Sequence, residues 1–326
     1  MYVKSPIFYM GGKYDLLYEL LPRFPLEKDV GTFIDLFGGS GTVSLNVPYK
    51  NIIYNELNEN IVNLLLMLKN ERPNVIIEHI EKRVKEFNLP LETTDLRYVE
   101  KEKRDRENQN YLKFRNFYNK QENRDLKDLY TLTFYSFCNC IRFNQKNEFN
   151  MPFGNRCILD IHKEQIKSSY RRLNELNLQI TNLDAFKILE SIKNYTNDLF
   201  IYLDPPYSNT TAIYNEKRAF GGWTIEHDNK LMLELDRIDK LGVKWAMSNV
   251  LENKGKKNSH LREWAKNNGY KIIYLEDKTY STFGTGNSNS REILIVNYEP
   301  PFDIPRLFDV EELWGEKTSE TSIKSS

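Results

Sequence analysis

Leu199-Phe200-Ile201-Tyr202-Leu203 is the clearest buried strand in the sequence, and Asp204-Pro205-Pro206-Tyr207 stops it at once. Five apolar residues in a row suit a strand covered on both faces, the situation inside a parallel sheet flanked by helices. Two prolines fix φ and remove two N–H donors, so neither strand nor helix runs on through them. A similar run, Thr32–Phe37, breaks at Gly38-Gly39-Ser40-Gly41-Thr42, and a third, Asn51–Tyr54, precedes a helical pattern from Asn58 to about Lys69. Further strand candidates are Leu178–Thr181, Val243–Met247, Tyr270–Leu275 and Ile293–Asn297. Short apolar strands alternating with helices predict the α/β class.

One stretch breaks the alternation. From about Arg72 to Leu176 the pattern is charged and helical, almost wholly polar between Leu96 and Gln109, and apolar-aromatic at helical length over Leu129–Phe143. A loop-like Asn, Gly and Pro density follows at Asn144–Arg156. The expected organisation is an α/β unit from residues 1–70 and 177–300, a mostly helical insertion at 71–176, and a polar tail at 301–326. Three cysteines, Cys138, Cys140 and Cys157, exclude a disulfide scaffold and suit a reducing, cytoplasmic setting. The amino terminus lacks the apolar core of a signal peptide. No run approaches the ~18 apolar residues of a membrane span, so no membrane partner is expected. The four histidines are scattered and read as surface or capping residues, and Cys138-x-Cys140 lacks the spacing of a zinc site; no metal is expected.

Two turns carry chemistry. At Asp35–Gly41, glycines let the backbone turn tightly and approach a ligand, and a following helix would offer N–H groups. Glu56, eighteen positions after Gly38, closes the next strand, where a carboxylate can accept two hydrogen bonds from a ribose diol. The glycine spacing departs from G-x-G-x-x-G, and an Asp directly before the turn would repel a pyrophosphate. It suits a positive or neutral ligand group such as the amino acid end of S-adenosylmethionine; an ordinary strand-to-helix turn would read alike. At Asp204–Tyr207, a carboxylate and the free carbonyls of a proline pair can together take both hydrogens of a planar amine. Tyr207 offers a face on which a flat base can stack. That is a site for nucleophilic attack by an amine.

With these residues the chain resembles the Dam-type DNA adenine-N6 methyltransferases, from Pro6 to Tyr298. Pro6–Lys13 looks like the family's amino-terminal cofactor motif, with Tyr9 at the aromatic position and Lys13 at the lysine. Asp35, Phe37, Gly38, Gly39, Ser40 and Gly41 match its glycine motif, and Glu56 stands where the family usually has Asp. Asp184 looks like the acid that holds the cofactor's adenine amine, with Phe186 beside the ring, and Asp204, Pro205, Pro206 and Tyr207 match the catalytic motif, Asp204 also bordering the cofactor. Arg142-Phe143-Asn144 and Phe149-Asn150-Met151-Pro152-Phe153-Gly154 are similar to the target-recognition segment of enzymes that read GATC, with Arg142, Asn144, Pro152 and Arg156 as DNA-binding candidates. The resemblance implies a Rossmann-like methyltransferase sheet with an inserted, mostly helical target-recognition domain. It also implies S-adenosylmethionine as methyl donor, double-stranded DNA as substrate, and a cognate restriction endonuclease as a possible partner.

The formal net charge is zero, yet Cys138–Asn174 and Glu252–Arg291 each carry a local excess of four positive charges. Arg beside Asn and Gly suits guanine edges and phosphates, and the Lys254–Lys257 cluster and Ser281–Ser290 suit a DNA backbone. Tyr130, Phe134, Tyr135 and Phe137 read as a buried helix face, and Trp223 as either a pocket wall or a core filler. Three rival functions stay open: a methyltransferase acting on another amine in RNA or a protein glutamine, a nicotinamide-dependent oxidoreductase, and a non-enzymatic DNA-binding module.

Overall fold

A computed structural model describes residues 2–9, 11–93, 100–194, 198–207, 222–253, 256–275, 278–280 and 288–302. The side chain of Lys254, the segment 281–287 and nearly all of the expected tail lie outside the described residues. The strands are β1 (Thr32–Asp35), β2 (Asn51–Asn55), β3 (Asn177–Thr181), β4 (Leu199–Leu203), β5 (Lys244–Asn253), β6 (Lys256–Lys257), β7 (Lys271–Tyr274), β8 (Lys278–Tyr280) and β9 (Ser288–Val296). The main helices are α1 (Glu59–Asn70), α2 (Pro73–Glu86), α3 (Lys101–Lys120), α4 (Leu126–Tyr135), α5 (Asp160–Glu175), α6 (Ala185–Ser191), α7 (Ile225–Lys240) and α8 (Ser259–Asn267). The sheet runs β3-β2-β1-β4-β5-β9-β7, with β6 paired to β5 and β8 to β9 off this path. β1 to β5 are parallel and β9 enters antiparallel between β5 and β7. This is the Rossmann-like methyltransferase sheet the sequence leads one to expect.

The chain builds outward from β1 through β2 to β3, then returns to place β4 on the other side of β1. That reversal opens a crevice at the carboxyl ends of β1 and β4, where open α/β sheets bind their ligands. Asp35 ends β1 in register with Tyr202 of β4, so the Asp35 and Asp204 turns border the same crevice.

Alternation along the strands feeds two apolar layers. Ile34, Ile201, Leu203, Trp245 and Met247 pack with Leu189, Leu235, Ile238 and Trp264 on one face. Phe33, Phe200, Tyr202 and Ala246 face the other layer, which continues without a break through Ile80, Phe114, Leu132, Phe134 and Leu173 of the helices between α1 and β3. The inserted helices thus share the core of the sheet. The Tyr130 hydroxyl ties them to the amino-terminal segment by donating to the Pro6 carbonyl at 2.9 Å.

Two expectations about elements change. The apolar run at Leu129–Phe143 is not one helix: α4 ends at Tyr135, and Cys138 and Asn139 take φ of 55° and 54°. Phe137 is accordingly exposed, whereas Tyr130, Phe134 and Tyr135 are buried. A cross-connection explains the stop: Phe137 N–H donates to Pro152 and Gly154 N–H to Tyr135. A Cβ at Gly154 would stand 2.5 Å from the Ser136 carbonyl oxygen, so only glycine fits. The glycine turn leads not into a regular helix but into successive turns, closed by Leu45 N–H to Gly41 and Val47 N–H to Val43, and Pro48 follows directly.

Candidate active site

The crevice is a partly open cleft. Tyr9, Lys13, Asp35, Phe37, Gly38, Gly39, Ser40, Glu56, Asp184, Phe186, Asp204, Pro205 and Pro206 border it. Gly41 supports it from behind against Leu65, and Tyr207 reaches it through Asp204. Gly39 and Gly41 adopt φ of +50° and +76°, a backbone that only glycine takes without strain. The turn is held by Glu56, whose Oε2 accepts from Gly39 N–H at 2.9 Å and whose Oε1 accepts from Asn58 N–H at 2.8 Å. Glu56 thus borders the cleft and is also a brace between β2 and the glycine turn.

Asp35 is buried, and Oδ2 takes the Ser44 N–H and hydroxyl at 3.2 and 2.7 Å. Burial pushes its carboxyl up to about 7, against the pull of those two bonds. Opposite it, Lys13 Nζ lies 2.8 Å from Asp204 Oδ2 and 3.6 Å from Glu292 Oε2, and donates to the Gly11 carbonyl and the Tyr207 hydroxyl, each at 3.2 Å. Burial alone would lower the Lys13 ammonium; the carboxylates of Asp204 and Glu292 reverse this and hold it well above its usual value. Burial raises the Asp204 carboxyl, with Lys13 opposing. The Tyr207 hydroxyl donates to Asp204 Oδ1 at 2.8 Å, so the tyrosine turns back onto the carboxylate it follows.

An aromatic wall closes the far end. Trp223 lies parallel to Phe186, with centroids 6.1 Å apart, and edge-on to Phe37 at 5.5 Å. Its indole N–H donates to Asp228, and His227 packs beside it at 5.2 Å while closing the first turn of α7 on Thr224. Trp223 is a cleft wall. Asp184 caps α6 through Oδ1, which accepts from Phe186 N–H at 2.8 Å.

The family described as D12 class N6 adenine-specific DNA methyltransferase matches residues 9–280. The chain belongs to this family. It is 35% identical over 303 residues to a modification methylase, StsI, of Streptococcus sanguinis, covering 91% of this chain and 43% of that one. It is 36% identical over 301 residues to the type II methyltransferase M.FokI of Planomicrobium okeanokoites, with the same coverage, so the chain spans less than half the length of these two relatives. To a DNA adenine methylase of Vibrio cholerae it is 23% identical over 296 residues, 88% of this chain and 93% of the other.

In this D12-class chain the expected DNA-binding residues lie apart from the cleft, on a hairpin between α4 and α5. Phe143 and Phe149 pair across it, and Asn150 N–H donates to the Arg142 carbonyl. Arg142 gives Nε and Nη2 to Asn150 at 2.7 and 3.0 Å, which fixes its guanidinium plane. Asn144 spends its side chain inside the turn, accepting from Lys146 and Glu148 N–H and donating to the Glu148 carboxylate. Arg156 bonds Asn139 through one Nη and is otherwise exposed, as is Pro152. Gln145, Lys146 and Asn147 form the exposed tip. Helix α3 backs the return strand: Tyr111 and Arg115 donate to the Met151 carbonyl, and Asn119 both donates to and accepts from Phe149.

Two buried polar groups behind the cleft lining escaped the sequence reading. Glu292 is the second acid on Lys13, and Ser248 bonds the buried Tyr202 hydroxyl at 2.7 Å. The histidines differ among themselves: His162 and His227 cap helices, while His79 bonds the buried Asp128 at 2.6 Å together with Arg83 and Gln121. Among the described residues no group of three or more His, Cys, Asp or Glu is placed to hold a metal.

Proposed function

We propose that the chain transfers a methyl group from S-adenosylmethionine to N6 of an adenine turned out of double-stranded DNA. The observation that carries this reading is the Asp204 carboxylate at the mouth of β4, joined to Pro205 and Pro206 and facing a cleft lined by three further features: carboxylates, glycine backbone and aromatic rings. The donor set fits the cofactor. Asp35 Oδ1 has no protein partner among the described residues and can meet a cationic amino acid end, while Glu56 places a carboxylate at the cleft beside the glycine turn, where a ribose diol would lie. Asp184 keeps Oδ2 for an exocyclic amine, with Phe37, Phe186 and Trp223 around a planar ring. Carboxylates at Asp35, Glu56 and Asp204 oppose the pyrophosphate that a nicotinamide dinucleotide would bring. When bound, S-adenosylmethionine supplies an electrophilic methyl group.

The chain's own groups do the positioning. Asp204 and the proline carbonyls accept the two hydrogens of the amine, which leaves its lone pair directed at the donor. Tyr207 lies under the base, Lys13 orients Asp204, and Tyr9, Gly38, Gly39, Ser40 and Gly41 shape the cofactor's bed. Residues 71–176 act as the recognition segment, with Arg142, Asn144, Pro152 and Arg156 on the hairpin that meets DNA. We assign GATC as the target on the likeness of residues 142–154 to Dam-type enzymes. The higher identity to modification methylases supports a role beside a restriction endonuclease that cuts the same site.

The deciding experiment exposes unmodified DNA to the protein with S-adenosylmethionine and reads modified base and motif by single-molecule sequencing. N6-methyladenine at GATC is expected. N6-methyladenine in another motif overturns the GATC assignment alone, and its absence overturns the function. Asp204→Ala should lower turnover by roughly 10²–10³-fold, as loss of a positioned acceptor does.

A further inference from the structure

We propose that Glu292 is a positioning residue of the methyl-transfer site, acting through Lys13 to keep the Asp204 carboxylate available to the substrate amine. The role rests on the methyl-transfer reading of the cleft. Lys13 and Glu292 are each only 4% exposed at the side chain, and the Lys13 ammonium stands between the two carboxylates, 2.8 Å from Asp204 and 3.6 Å from Glu292. A buried ammonium paired with Asp204 alone would neutralise it, and an amine hydrogen would compete with a full positive charge for the same acceptor. A second carboxylate on that ammonium divides its attraction and leaves the three groups with a net charge of minus one.

That surplus acts where charge develops. As the bond from nitrogen to the methyl carbon forms and the carbon–sulfur bond breaks, sulfur keeps the electron pair. The amine nitrogen becomes positive and then releases a proton to solvent. Negative charge fixed beside the amine stabilises that change without reorganising. Among the described residues, the Tyr202 and Tyr207 hydroxyls also act on Lys13 and, towards the cofactor side, Asp35 acts on Asp204. Among the described residues the second carboxylate on Lys13 is Glu292. Its backbone place is set by β9, where it pairs with Val250 of β5 and accepts from Leu275 N–H.

Glu292→Gln keeps volume and removes charge, whereas Glu292→Asp keeps charge. Steady-state transfer of labelled methyl to adenine-containing DNA should show kcat of the Gln variant down about tenfold or more, the effect of one pK unit at the acceptor. KM for S-adenosylmethionine should change by less than about threefold, and the Asp variant should recover most of kcat. Independently of activity, the Lys13 ammonium, assigned in ¹⁵N-lysine spectra against Lys13→Met, should titrate at lower pH in the Gln variant. Unchanged kcat in the Gln variant, an Asp variant no better than Gln, or an unmoved Lys13 titration overturns the proposal. If the wild type transfers no methyl to adenine, the functional reading falls, and the Lys13 titration still decides whether Glu292 governs that ammonium.

Discussion

Tyr207 donates its hydroxyl to Oδ1 of Asp204, the oxygen opposite the one Lys13 holds. Both oxygens of the carboxylate are therefore engaged, and an incoming amine must displace the phenol. Tyr207→Phe removes that competitor and keeps the ring. We expect its KM for DNA to fall or stay level and kcat to stay within a few-fold. Tyr207→Ala also loses the stacking face and should cost roughly 1–3 kcal/mol in kcat/KM. Equal impairment of the two variants in steady-state methylation would show that the hydroxyl, not the ring, is what matters.

Glu56 serves two neighbours at once, so its removal should be felt twice. Glu56→Ala is expected to weaken S-adenosylmethionine binding by roughly 1–3 kcal/mol and also to lower thermal stability, since the N–H groups of Gly39 and Asn58 lose their acceptor. Calorimetry and a melting curve on the same preparation check both. DNA affinity without cofactor should hardly change. Unaltered cofactor affinity beside a lowered melting point would leave Glu56 as a brace only.

Asp35 is expected to make cofactor binding depend on pH. Its folded carboxyl, pushed up to about 7 by burial, carries a proton through the range where an exposed aspartate is ionised. Only the ionised form attracts a cation, so S-adenosylmethionine affinity should rise as pH passes upward through about 7. Asp35→Asn should bind more weakly and lack that rise. A parallel pH profile in the variant would contradict the assignment.

Asp128 sets a pH limit on the inserted helices. Held down at about 2 by the His79, Arg83 and Gln121 bonds despite its burial, it favours the folded state wherever it is ionised. That contribution, roughly 2 kcal/mol, is complete above the unfolded value near 4 and is lost as pH falls through about 2. Denaturant unfolding of wild type between pH 5 and 2 should show the loss. Asp128→Asn should be less stable at neutral pH and flatter over the same range.

Base reading and phosphate binding are expected to separate on the hairpin. Arg142 or Arg156 is expected to read the first base of the target, and each bidentate guanine contact is worth roughly 1–3 kcal/mol of discrimination. Arg142→Ala and Arg156→Ala, assayed on GATC and its first-position variants, should relax specificity at that position in at least one case. Lys146→Ala should weaken all sequences about equally and flatten the salt dependence. Uniform loss in both arginine variants would remove the hairpin as reader.

Much of the cleft was legible because its acids end strands. Asp35, Glu56 and Asp204 follow short apolar runs, and parallel strands buried on both faces write themselves as such runs. Glu292 left no such mark. It lies inside β9, amid residues that pair antiparallel with β5, and only the folded sheet brings it to Lys13, 279 positions earlier in the chain. The early end of α4 was equally silent. The apolar pattern continues past Tyr135, while the left-handed backbone at Cys138 and Asn139 answers a contact with Pro152–Gly154 from the far side of the hairpin. Asn144 shows the opposite limit: its type and place suit a base edge, yet its amide is absorbed by the turn.

The hydrogen bonds by which Tyr111, Arg115 and Asn119 brace the hairpin come from one face of α3 at four-residue intervals and go to the backbone of Phe149 and Met151. Backbone atoms are the same whatever side chains the hairpin carries. Gln145 and Lys146 can therefore be exchanged without disturbing those bonds, and such exchanges should leave the melting temperature unchanged; Asn147, at φ of 57° and with its carbonyl held by Arg124, is the fixed member of the tip. The scaffold and the exposed tip it carries are therefore free to diverge separately, one held through backbone atoms and the other made of outward side chains.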